Sequence, residues 1–501
     1  MMILQLAGSI RQRPLLCLGL MLYWIWINIG FQSPLLYPLV RLSPDTTIPS
    51  IIGPIAVSVL AYLVLGIWFK RSNKVFRHPW YIGVLAGFMM ASILTGIFWL
   101  ESAWPTSLFD SQALTTQSGI ITVSTILLYS ISSLCAGITT ACLCIEWGRI
   151  FGEHGPRQVL FHGIVAFLGA ALITALVSQL PPIAFLAIIF VVPVPMALCM
   201  IHSQKEFPRK PFFEHGLNAK LNIPIKFLIT ALLHGLSLGI LLGLFADLDY
   251  ENNTALLISY ALSALLLFIT AVAVKMDFNH LIYQVGFSLV ALGSMLIALF
   301  YPTFQLGSSL QLMGFCYLHL LMWGLCSYLT KNFRLPATWV VALPTCAFMF
   351  GQLVGIVTSN FTYQFAANPM AFVRLFLVLT FVILIAALLL MSNRNYQTAW
   401  GLARPGSNEL YEDDIALACH SLATSNELSQ REAETLSHLV RGKNKKTIAK
   451  ELFVSEETVK SHTHSIYRKL LIHSQQELIE LFERQFHRFD DVQASVFEEL
   501  P

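Results

Sequence analysis

Up to Met391, polar residues occur mainly as short interruptions between long apolar runs. A helix crosses the hydrocarbon of a bilayer with about 20 apolar residues. Twelve stretches reach roughly that length: residues 14–32, 48–69, 80–100, 119–145, 158–178, 182–201, 224–246, 254–274, 281–300, 306–330, 337–358 and 370–391. Gln179, Leu180, Pro181 and Pro182 make a tight turn between the fifth and the sixth. The first run has no small-residue cleavage site behind it and reads as a span. After Met391 the pattern changes. Residues 392–425 read as a linker ending in a short amphipathic helix with Ile415, Leu417, Ala418 and Leu422 on its apolar side. Beyond them apolar positions recur every three or four residues. The pattern predicts an all-α chain: a twelve-helix transmembrane bundle, then a four-helix domain over 426–486 and an acidic tail over 487–501.

The small domain carries clear helix punctuation. Ser429 and Glu432 form a capping box that opens a helix with Ala433, Leu436, Leu439 and Val440 on one side, closed by Gly442. Asn444 caps a second helix holding Ile448, Ala449 and Leu452. Phe453, Val454 and Ser455 turn the chain, and Ser455 caps a third helix from Glu456 to Leu470. Ser474 and Glu477 open a fourth. Helix, tight turn, helix is the helix-turn-helix pattern.

Composition agrees with a membrane body: hydrophobic residues make up 56% of the 501 and charged residues only 12%, which excludes a set of soluble domains. The net charge of +3 conceals a division. Up to Met391 there are 18 Lys and Arg against 11 acids; from Ser392 onward, 13 against 17. Fifteen Lys and Arg (among them Arg13, Lys70, Arg77, Arg149, Arg157, Arg209 and Lys275) fall on one set of inter-span loops, and Arg41 alone on the other. By the positive-inside rule both termini, including residues 1–13, lie in the cytoplasm. The nine cysteines, an odd number mostly in apolar runs, read as buried free thiols. Residues 428–473 carry a local +4 between flanks of −3 and −5, placing positive charge on the helix-turn-helix itself.

Leu428 to Glu432, Gly442, Ile448-Ala449, Leu452, Val454 to Glu456, Thr458 to Lys460, His462, Ile466 and Lys469-Leu470 stand in an order and spacing that resembles the LuxR-type (GerE-like) domain of bacterial regulators. The resemblance implies binding of double-stranded DNA as a homodimer, through the last helix, with Leu478, Ile479 and Phe482 as interface candidates. Unpaired, these three would pack on their own domain. Thr447, Leu471 and Gln475 stand where that family often has Glu, Gly and Arg. The departures imply a lost capping partner, a different turn and a lost phosphate or interhelix contact. At about 100° per residue, Val459, Thr463, Ile466 and Leu470 share the core side of the third helix. Glu457, Ser461, His464 and Arg468 lie opposite, with Lys460 at the flank. A recognition helix enters the major groove with its N-terminal part at the base edges. Lys460, Ser461 and His464 are therefore the candidate base readers. Thr458, Lys445, Lys446 and Lys469 are candidate phosphate contacts, and Arg468 shares the DNA-facing side. His462 lies nearer the core edge.

The membrane part resembles the major facilitator layout of six helices, a long inner loop and six helices, with halves 14–201 and 224–391. The loop after the second span, Lys70 to Arg77, lacks the glycines and acid that family usually shows, and no carboxylate falls in mid-span. The first speaks against active transport and the second against a proton-coupled carrier. Arg374, just inside the last span, is either an anchor for an anionic ligand or a paired or snorkelling charge. Asn28, His234, His319 and Gln352 sit in apolar runs as ligand contacts or as interhelical hydrogen bonds. Gly235, Gly239 and Gly243, with Gly351 and Gly355, mark close helix packing. Cys142-x-Cys144 and Cys316-x-x-His319 lack the spacing of a four-ligand metal set. No metal, cofactor or enzyme motif is expected. The expected function is a membrane-bound one-component transcription regulator of the bacterial cytoplasmic membrane, sensing a small molecule or membrane signal. The alternative is a transporter with a regulatory DNA-binding tail.

Overall fold

A computed structural model describes residues 10–11, 13–33, 35–43, 46–68, 76, 78–104, 122–154, 156–209, 223–247, 253–274, 276–299, 304–332, 336–366, 369–391, 419–420, 422–440, 444–475, 477–478 and 481–482. The chain parts near Met391 into two compact units.

The first unit is built from α1 (Pro14–Phe31), α2 (Ile52–Ile67), α3 (Trp80–Ala103), α4 (Val123–His154), α5 (Pro156–Val177), α6 (Pro182–Glu206), α7 (Ile225–Asp247), α8 (Asn253–Leu267), α9 (His280–Leu299), α10 (Phe304–Asn332), α11 (Ala337–Ala366) and α12 (Pro369–Leu390). Among the described residues, nine helices are long and apolar enough to cross a bilayer; α2, α8 and α12 contribute shorter apolar stretches. The 16 residues of α2 reach about 24 Å at 1.5 Å each. That is short of the ~30 Å hydrocarbon, so the expected crossing there depends on flanking residues. Within this helical unit a small hairpin between α1 and α2 pairs β1 (Leu39–Ser43) antiparallel with β2 (Thr46–Pro49). The last turn of α1, the segment Phe268–Ala273 that continues α8 and the start of α9 are π-helical.

The glycines predicted to bring helices together do so within the bundle. A Cβ on Gly235 would meet the carbonyl of Phe348, and one on Gly239 the carbonyl of Gln352; Gly351 and Gly355 return the contact against Leu232 and Leu236. Thus α7 and α11 lie backbone to backbone. The halves also meet where α2 packs on α11 and α5 on α8.

A buried charge cluster lies at the end of α4. Glu146 is 0% exposed and accepts from Arg149 Nη2 at 2.7 Å, Arg209 Nε at 2.9 Å and Gln204 Nε2 at 2.8 Å. Gln204 also donates to the Tyr81 hydroxyl at 2.6 Å, and Arg209 donates to Thr338 Oγ1 at 3.2 Å while stacking over Phe76. Arg149 and Arg209, counted from the sequence as loop charges, are therefore buried ion-pair partners that tie together segments from both halves. Two cations around one carboxylate, each also hydrogen-bonded, are the arrangement that makes a buried charge tolerable.

The second unit holds α13 (Gln430–Val440), α14 (Lys445–Glu451), α15 (Glu456–Leu470) and a final helix beginning at Gln475. Its core joins Leu436, Leu439, Ile448, Val459, Ile466 and Leu470 to Leu478 and Phe482. Cys419 and Leu422 belong to the same core, so the short helix assigned to the linker is part of this domain.

Candidate nucleic-acid interface and membrane-interior site

Local hydrogen bonds set the register of the small domain. The capping box forms as predicted: the Ser429 N–H donates to Glu432 Oε2 at 2.6 Å, and the Glu432 N–H to Ser429 Oγ at 3.4 Å. Asn444 Oδ1 accepts from the Thr447 N–H at 2.8 Å and the Thr447 hydroxyl at 3.0 Å. Thr447 therefore strengthens the cap it was expected to weaken. Ser455 Oγ accepts from the Thr458 N–H at 3.1 Å and starts α15. Between α14 and α15 the chain turns through Phe453 at φ 55°.

The faces of α15 are as helical geometry predicted. Val459, Thr463, Ile466 and Leu470 are buried. Glu457, Lys460, Ser461, His464 and Arg468 are exposed, and His462 is half-buried. Lys460 Nζ lies 3.6 Å from Glu457, a loose pair that competes weakly with another partner. Lys445 and Lys446 are exposed in the first turn of α14, and Thr458 is half-buried at the start of α15.

Lys469 departs from its expected part. Its Nζ donates to Glu432 Oε2 at 2.8 Å and to the Glu427 carbonyl at 2.9 Å. It braces α15 against α13 and is not free to hold a phosphate. Glu432 is the centre of this brace, for it also accepts from the Ser465 hydroxyl. Burial alone would raise the Glu432 carboxyl, but the hydrogen bonds from Lys469, Ser465 and Ser429 outweigh it and hold the pKa at about 2. The capping signal was legible in the sequence; the brace was not, because Lys469 lies 37 positions away.

Two further expectations change. Leu471 takes the left-handed conformation, φ 55° and ψ 43°, at the C-terminus of α15. The turn favoured by glycine is thus kept by a leucine that strains to make it. Gln475 Nε2 donates to the Leu439 carbonyl at 2.8 Å and so keeps an interhelix contact. Leu478 is 0% and Phe482 6% exposed, both in the domain's own core, so in this conformation neither offers a dimer face. Ile479 lies outside the described residues.

In the membrane unit, four of the five singled-out polar groups are at least half-buried and the fifth is not. Arg374 is exposed on the outer face of α12, which removes it as an anchor in the bundle interior and fits snorkelling. Asn28, in the π-helical turn of α1, accepts from the Tyr260 hydroxyl at 3.1 Å while its amide nitrogen has no partner. His234 and Gln352 are 1% and 0% exposed, with both polar side-chain atoms of each unpartnered. His319 is 8% exposed, with Nδ1 unpartnered. The His234 ring stacks on Phe315 at 5.1 Å and stands 5.9 Å from His319. The structure brings these two histidines together, which the sequence could not. Among the described residues, no three His, Cys, Asp or Glu gather as metal ligands.

Residues 426–482 match the family described as bacterial regulatory proteins, luxR family (GerE). The chain is 46% identical over 57 residues to the response regulator protein TodT of Pseudomonas putida, covering 11% of this chain and 25% of that protein. It is 37% identical over 73 residues to the uncharacterized response regulatory protein YgeK of Escherichia coli K12, covering 14% of this chain and 50% of that one. The chain thus spans a quarter to a half of these relatives' lengths. The structure is similar to that of a bacterial homologue of the iron transporter ferroportin in its outward-facing state with soaked iron. The TM-score is 0.51 at 14% identity, over 76% of this chain and 99% of that one. The C-terminal domain is a LuxR-type helix-turn-helix domain, and the membrane unit shares the fold of that ferroportin homologue.

Proposed function

We propose that this chain, a LuxR-type domain carried on a transporter-like membrane bundle, is a membrane-bound one-component transcription regulator. The bundle senses a small molecule or membrane signal, and the C-terminal domain binds promoter DNA as a homodimer. The skewed loop charges support a cytoplasmic-membrane location with both termini in the cytoplasm. Within the domain, α15 enters the major groove. Lys460, Ser461 and His464 read base edges, Arg468 lies on the same side, and Thr458, Lys445 and Lys446 hold phosphates. The observation that carries this reading is the row Lys460, Ser461, His464 and Arg468, exposed on a helix whose opposite side is locked in the core. A promoter reporter tests it: Lys460→Ala with His464→Ala is expected to abolish the response, and an unchanged response sinks the proposal.

The transporter-like fold favours a second reading, in which the bundle moves a substrate and the tail regulates expression. Uptake into vesicles by the chain ended at Met391 separates the two. The regulator predicts none.

A further inference from the structure

The bundle interior holds an arrangement that packing alone does not explain. A small cavity lies among α4, α10 and α11, lined by Phe151, His319, Trp323, Thr345 and Phe348 and floored by Gly148. Phe151, Trp323 and Phe348 put aromatic rings on its wall, and further rings pack behind them. Trp24 meets the His319 ring edge-on at 5.0 Å and lies 5.9 Å from Trp323. Phe348 meets His319 at 5.3 Å and His234 at 5.1 Å. On this wall His319 Nδ1 has nothing to bond, and behind the lining the two rings that meet His319 are in the same state, with both ring nitrogens of His234 and Trp24 Nε1 unpartnered. All three residues are more than nine-tenths buried. A buried polar group without a partner is costly, and native proteins leave few. A tightly packed bundle could have had leucine or phenylalanine at each place.

We infer that this cavity is the bundle's ligand site and that it takes a neutral, planar organic molecule bearing a hydroxyl or N–H group. The inference rests on the sensing role proposed above and names its ligand class. Among the described residues no charged side chain lines the cavity, so a charged guest would be desolvated without a counter-charge. The flat aromatic walls match a planar ring, which stacks or meets them edge-on. A neutral imidazole offers one donor and one acceptor, so His319 on the cavity wall can bond either kind of group on the guest. A metal ion fits less well: the two imidazoles find no third His, Cys, Asp or Glu among the described residues. His234 lies about 14 Å along α7 from Ile225, at mid-bundle depth. The cavity joins helices of both halves: α4 belongs to the first and α10 and α11 to the second. A guest larger than the present space must part them. Occupied and empty states would therefore differ in helix spacing, the differential a sensor requires.

The test uses the full chain in lipid nanodiscs, titrated with phenol and with indole. Controls are benzoate (planar, charged), cyclohexanol (neutral, not planar) and Co²⁺. Trp24 and Trp323 report through tryptophan emission, and thermal unfolding gives a second reading. Phenol is expected to quench emission saturably, and phenol or indole to raise the melting temperature saturably, while the controls do neither. His319→Phe keeps a ring but removes the bonding group. It is expected to melt at or above the parent temperature and to bind at least about tenfold more weakly, the loss of one hydrogen bond's worth of affinity. The inference is overturned by no saturable response to either neutral probe, by benzoate binding as tightly as phenol, or by a histidine-dependent Co²⁺ absorption band. Unchanged binding by His319→Phe, or its melting well below the parent, overturns it too. Binding is read without DNA, so failed DNA recognition leaves the site standing. A bound probe that leaves the promoter reporter silent removes only the sensing role.

Discussion

Glu432→Gln keeps the shape of the side chain at the joint between α13 and α15 and removes its charge. The carboxylate receives the Lys469 ammonium at 2.8 Å, the Ser429 N–H at 2.6 Å and the Ser465 hydroxyl. Together these hold its pKa at about 2 against an ordinary 4.5. A depression of that size corresponds to about 3 kcal/mol favouring the ionised form in the folded domain. Lys469 is 31% exposed, and screening trims the expected loss to about 2 kcal/mol. For a domain of this size that is a fall of roughly 8–16 °C in melting temperature. The folded pKa lies below the unfolded one, so the stabilisation is complete above about pH 4.5 and disappears as pH falls towards about 2. Parent and variant should therefore melt far apart at pH 7 and draw together across that acid window. Circular dichroism melts of residues 405–501 at both ends of the window measure this. Lys469→Met and the double variant complete a cycle that isolates the pair. The reasoning is refuted if Glu432→Gln melts within about 0.5 kcal/mol of the parent at pH 7, or if the gap does not change with pH.

Leu471→Gly relieves a left-handed leucine that is 86% exposed and loses no packing; differential scanning calorimetry should show a gain of about 1 kcal/mol. Glu146→Ala leaves Arg149 and Arg209 buried without their anion and should cost about 3–5 kcal/mol, read as a lowered melting temperature of the full chain in detergent. Gly239→Val drives a branched side chain into the Gln352 carbonyl and should prevent α7 from seating on α11, seen as loss of the monodisperse peak in size-exclusion chromatography. Lys445→Ala and Lys446→Ala should weaken DNA binding evenly across sequences and each lower the salt slope by about one. Lys460→Ala should instead relax preference at one base pair.

The sequence carried most of what local rules govern. The caps at Ser429, Asn444 and Ser455 and the buried stripe of α15 depend on spacings of three and four residues, which a helix turns directly into contact. The apolar runs announced the bundle for the same reason. Contacts between distant segments were hidden. Arg209 looked like a loop charge until folding placed it on Glu146, 63 positions away. Lys469 looked like a phosphate ligand until it met Glu432. Leu478 and Phe482 could equally face a partner or their own core, because one amphipathic side serves either purpose. His234 and His319 carried no joint signal, since their approach depends on how α7 and α10 pack around Phe315.

Sequence-specific DNA binding by the intact chain tests the central claim most directly. The full-length protein in nanodiscs is footprinted on its own upstream region, beside Lys460→Ala with His464→Ala. The account predicts a protected, salt-sensitive site for the parent and its loss in the variant with the fold unchanged. A parent that protects nothing, or a variant that protects the same bases equally well, would contradict it.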